Sequence, residues 1–97
     1  MAQNQEEQRK EERVRAAWRL DLGNNASATT RDVSASGLFF ESEGAYTPGG
    51  AIRFAIEIET PGGKMVLSCC GEIVRVEPLQ TRLGVAVRIL DSMLRPS

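Results

Sequence analysis

Two stretches of this chain alternate apolar and polar residues with the two-residue period of a half-buried strand. In Ala51–Thr60, Ile52, Phe54, Ile56 and Ile58 face one way, while Arg53, Glu57 and Glu59 face the other. In Thr81–Leu90, Leu83, Val85, Val87 and Ile89 share one face. A helix would scatter such residues around its circumference, so both stretches are committed to sheet. The rest of the chain divides at turn signals. Val14–Leu22 ends at Gly23-Asn24-Asn25, and Ser27–Ser34 and Gly37–Glu41 read as the next strands. Thr47-Pro48-Gly49-Gly50 is a loop and Pro61-Gly62-Gly63 a hairpin turn. Lys64–Glu77 is expected to be a long strand bent near Gly71, where a missing side chain permits a bulge. Six short strands at regular spacing predict an all-β fold, a small six-stranded antiparallel barrel. Asp91–Arg95 is expected to form a short C-terminal helical turn before Pro96, with Asp91 as its N-cap.

A chain of 97 residues has room for one domain and one modest core. Aromatic residues make up only 5%, so that core must be mostly aliphatic. Trp18, the lone indole, is expected to pack beneath the barrel. The net charge of −1 gives no global field to recruit a nucleic acid polymer, and any anion site must come from a local cluster. Cys69 and Cys70 are adjacent, which within a strand sends them to opposite faces and disfavours a bridge. They read as small reduced packing residues. Without histidine or a C-x-x-C pair, neither a metal site nor a cofactor is expected. There is no long apolar run and no apolar stretch near the start, so direct membrane insertion is not expected and a cytoplasmic location is.

Residues before about Val14 are almost wholly polar, and 1–13 are expected to form a flexible N-terminal arm ahead of a barrel domain at 14–97. That arm carries Arg9-Lys10-Glu11-Glu12-Arg13, which places two guanidinium groups four residues apart. Asp32-Val33-Ser34-Ala35-Ser36-Gly37 follows, a carboxylate, hydroxyls and a glycine at the junction of two apolar stretches. Guanidinium forks suit phosphates and the O6/N7 edge of guanine, and a carboxylate suits guanine's N–H donors. Taken together the two elements suit a guanine nucleotide bearing phosphates. Each also has a purely structural reading. Basic residues in a polar tail are commonly just solvated, and Asp32 or Ser34 can bond nearby backbone while Gly37 relieves a tight corner.

This R-x-x-x-R followed by D-x-S-x-x-G resembles the signature of the PilZ domain, the bacterial receptor module for cyclic di-GMP. The Gly37-Leu38-Phe39-Phe40, Gly71-Glu72-Ile73-Val74-Arg75 and Leu83-Gly84-Val85 segments resemble the family's later blocks. The resemblance implies a split-barrel fold and a receptor or adaptor in second-messenger signalling. The arm orders when cyclic di-GMP binds and the change is passed to a downstream protein partner. It implies ligand contacts from Arg9, Lys10, Arg13, Asp32, Ser34, Ser36 and Gly37. Arg9 and Arg13 grip a phosphate or the guanine Hoogsteen edge, Asp32 accepts from a guanine edge, and Ser34 binds base or phosphate. Gly37 allows close backbone approach, at a positive φ that a β-branched residue resists. Gln8 stands where family members that bind two intercalated ligands often carry a basic residue, and Lys10 can compensate.

Catalysis is not expected. There is no histidine, and Ser34 beside Asp32 lacks an intermediate base to deprotonate it. The competing reading is a protein-interaction module of the same fold that no longer binds cyclic di-GMP. A barrel for single-stranded nucleic acid would want a basic groove interleaved with stacking aromatics, and the near-neutral charge and scarce aromatics oppose it.

Overall fold

The computed structural model describes residues 13–23 and 26–97, so Arg9, Lys10 and all of the expected arm except Arg13 lie outside the described residues. The strands are β1 (Val14–Arg15), β2 (Arg19–Gly23), β3 (Ala26–Val33), β4 (Gly37–Ser42), β5 (Ala51–Thr60), β6 (Gly63–Pro78) and β7 (Leu83–Pro96). All pairings are antiparallel, in the order β3-β2-β5-β6-β7-β4, and β4 returns to β3. Six strands therefore close an all-β barrel, and β1 is one extra strand on β3.

Alternation decides which side chains fill the barrel. On β5, Ile52, Phe54 and Ile56 are buried and Ile58 packs partly against them, as the two-residue period requires. Val85 and Val87 of β7, Leu38 and Phe40 of β4 and Leu20 of β2 meet them in one aliphatic core. Tyr46, in the loop before β5, closes over Phe40 edge to face at 5.6 Å and 81°. Cys69 is buried among these residues and Cys70 points outward, both free, as adjacent strand positions dictate. Burial, and secondarily the neighbouring Cys70, push the Cys69 thiol above its ordinary range.

The expected bend at Gly71 appears as a break in register, Cys70 pairing with Asp91 but Gly71 with Ile89. The C-terminal helical turn does not form, and Asp91 caps nothing. Instead β7 runs extended to Pro96, with Cys70 opposite Asp91, Ser68 opposite Met93 and Val66 opposite Arg95. The local signal for a cap lost to β6, whose first half otherwise has only β5 beside it.

The first expected strand is also interrupted. β1 and β2 lie on the same edge of β3, separated at Ala16–Trp18. Thr30, the buried polar residue of β3, makes the break. Its hydroxyl donates to the Ala16 carbonyl and accepts from the Trp18 N–H at 2.7 Å. Trp18 consequently does not pack beneath the barrel. It is 42% exposed and lines an outer groove with Arg19, Ile58 and Val66.

Candidate functional site

The β3–β4 connection is a tight turn in which the Ser34 N–H donates to the Gly37 carbonyl at 2.8 Å. The Ser34 hydroxyl donates to the same oxygen at 3.3 Å, leaving its lone pairs as acceptors. The Ser36 carbonyl accepts from the Ile89 N–H at 2.8 Å, which ties the turn to β7. Gly37 lies directly opposite Arg88 in the β4–β7 ladder, and a Cβ on Gly37 would stand 2.4 Å from the Val87 carbonyl oxygen. Only glycine fits there. Its φ is not in the positive region, so the expected handedness constraint gives way to one of proximity.

This turn forms one wall of a cleft of about 490 Å³ on the outside of the barrel. Of the residues singled out in the sequence, Arg13, Asp32, Ser34, Ser36 and Gly37 all line it. Arg9 and Lys10 are outside the described residues. The Asp32 carboxylate is 3.6 Å from the Arg31 guanidinium and its side chain is 20% exposed, leaving an edge open to the cleft. Arg13, at the start of the described chain, pairs with no carboxylate among the described residues.

Phe39, Val74, Arg75 and Arg88 also line the cleft, none of them assigned to a site from the sequence, where Arg75 reads as an outward-facing strand charge. Phe39 alternates outward between the buried Leu38 and Phe40, yet is itself only 7% exposed. Two guanidinium groups cover it, Arg31 at 4.8 Å and Arg75 at 6.0 Å from the ring centroid. It lies against Gly84, where a Cβ would come 2.4 Å from Phe39 Cζ. An apolar run of three in an otherwise alternating strand signals such an outward-facing ring. Val74 is the extra residue where the β6–β7 register shifts between Ile73 and Arg75, and this bulge leaves it 49% exposed. Arg88 is held by Glu72 at 2.6 Å. No spacing in the sequence announces Arg75 or Arg88, because cross-strand register alone brings them to the Gly37 turn.

The cleft therefore combines three arginines, one carboxylate, turn hydroxyls and the exposed apolar side chain of Val74. Such a set can hold an anionic ligand that also carries a flat ring and N–H donors. Among the described residues no group of three or more His, Cys, Asp or Glu gathers as metal ligands. No helix of the described residues is long and apolar enough to cross a membrane.

Fold and cleft define a class: a closed antiparallel barrel with a polar, arginine-bearing cleft on its outer wall. The family model of the PilZ domain matches residues 3–95, and the chain belongs to that family. PilZ domains are generally receptors for cyclic di-GMP and not enzymes. A comparison with curated proteins found no match.

Proposed function

We propose that this protein is a cyclic di-GMP receptor that binds its ligand in the cleft beside the Ser34–Gly37 turn and signals to a downstream protein partner. What supports the reading is the meeting of Arg13 with Asp32, Ser34, Ser36 and Gly37 in one cleft, although nineteen positions separate Arg13 from Asp32. The Asp32 carboxylate accepts from guanine N–H groups. Arg13 grips a phosphate or the Hoogsteen edge, and Arg9 and Lys10 add charge from the segment before it. A guanine face lies against Val74 and on the Arg75 guanidinium, which itself stands over the Phe39 ring. Residues 1–13 act as an arm that closes over the ligand, and the closed arm changes the surface offered to the partner. The domain performs no chemistry on its ligand. The setting is the bacterial cytoplasm, where this second messenger is made.

Calorimetric titration of cyclic di-GMP into wild type and Arg13→Ala tests this at near-physiological salt. Wild type is expected to saturate, and loss of a charge-assisted contact to weaken binding about 10- to 150-fold. The amides of residues 5–13 are expected to become ordered with ligand. Folded wild type that takes up no ligand would sink the receptor reading and leave an interaction module of the same fold. Normal binding by Arg13→Ala would remove the arm from the site.

A further inference from the structure

Among the described residues, three of the six exposed large apolar side chains fall within one short piece of β7: Leu90 at 63%, Met93 at 66% and Leu94 at 54% exposure. The backbone there is open as well. One edge of β7 pairs with β6 as far as Pro96, but its other edge meets β4 only from Leu83 to Arg88, and Ile89 bonds the Ser36 carbonyl. From Leu90 to Pro96 no strand lies on that edge among the described residues. No lysine interrupts this stretch, and its proline stands at the far end. An open apolar edge of this kind is a template for another strand.

The charges on this edge indicate which strand. Asp91 and Arg95 lie four residues apart on the same face of β7, about 13 Å along the strand, too far to reach each other. Neither has an ion-pair partner among the described residues, so both charges are open to a partner from outside the chain. We propose that a second copy of this chain occupies the edge, paired antiparallel across a two-fold axis at Met93. In that register Met93 opposes the partner's Met93. Asp91 opposes the partner's Arg95, and Arg95 the partner's Asp91. Two independent features agree on this centre: Met93 is the midpoint of the uncovered segment Leu90–Pro96, and it is also midway between the two charges. A slip of two residues sets a charge against methionine, and a slip of four sets like charges against each other. The contact is self-complementary, as a two-fold dimer requires. It joins β5, β6 and β7 of both copies into one continuous sheet and covers Met93 and Leu94. It uses the half of β7 beyond the ligand cleft, so it stands or falls independently of cyclic di-GMP.

Sedimentation equilibrium of the ligand-free protein over a wide concentration range tests the pairing. Wild type is expected to show a monomer–dimer equilibrium. Asp91→Arg and Arg95→Asp each set like charges on both sides of the axis, and each should weaken self-association roughly tenfold or more. An equimolar mixture of the two variants again opposes an acid to a base at both pairs and should form the heterodimer. The doubly exchanged Asp91→Arg/Arg95→Asp chain should dimerise like wild type. Thermal melts by circular dichroism confirm that each variant is folded. Wild type that stays monomeric throughout overturns the proposal, as does a dimer indifferent to the single reversals or a mixture that does not re-associate.

Discussion

At the scale of single residues, close approach does more at this site than charge alone. Gly37 has no room for a β-carbon beside the Val87 carbonyl, so Gly37→Val must push β4 away from β7. Overpacking of this kind costs about 1–3 kcal/mol. Denaturant unfolding should show that loss, and ligand titration should show weakened binding, because the same shift opens the turn that carries Ser34 and Ser36. Phe39 is an outward ring buried by its arginine neighbours, so Phe39→Ala should both destabilise the fold and release the Arg75 guanidinium that lines the cleft. The cysteines provide a check on facing. Cys70, exposed, should alkylate readily in the folded protein. Cys69, buried and with its thiol pushed upward in pKa, should react only as the protein opens. Equal labelling rates, followed by mass spectrometry, would contradict the strand assignment there. Asp32, Ser34 and Gly37 were legible because their spacing follows one turn. Arg75 and Arg88 were not, because only the register of β6 and β7 places them against it.

At the scale of elements, local signals succeeded where alternation was strong and failed where a distant strand competed. β5 follows from its own residues. Asp91–Arg95 carries a cap residue and a following proline, but a single helical turn offers few bonds, whereas pairing with Val66–Cys70 gives a continuous ladder along one edge of β7. The break between β1 and β2 was equally invisible, since Thr30 makes it from another strand. Thr30→Val keeps the shape and removes the hydroxyl, leaving the Ala16 carbonyl and the Trp18 N–H without their partner. That should cost about 1–3 kcal/mol. Trp18 reports on the change, because it is the lone indole and adjoins the broken bond. Its fluorescence should shift in the variant before global unfolding begins; an unchanged spectrum and stability would mean that Thr30 does not hold the break.

At the scale of the whole molecule, β7 connects the two surfaces. Its Ala86–Arg88 segment lines the cleft and its Leu90–Pro96 segment is the open edge, with the Ser36–Ile89 hydrogen bond at the junction. Stability and binding can nevertheless be separated, because Arg13 is exposed and takes no part in the barrel core. A ligand that binds only the folded state stabilises it by mass action, about 2.7 kcal/mol at a hundred times Kd. For a domain of this size each kcal/mol raises Tm by about 4–8 °C. Saturating cyclic di-GMP should therefore raise the wild-type Tm by roughly 10–20 °C. Arg13→Ala should melt at the wild-type temperature without ligand and gain much less with it, because the substitution removes a ligand contact and no packing. A variant that melts lower without ligand, and whose gain on adding it equals that of wild type, would show Arg13 to be part of the fold and not of the site.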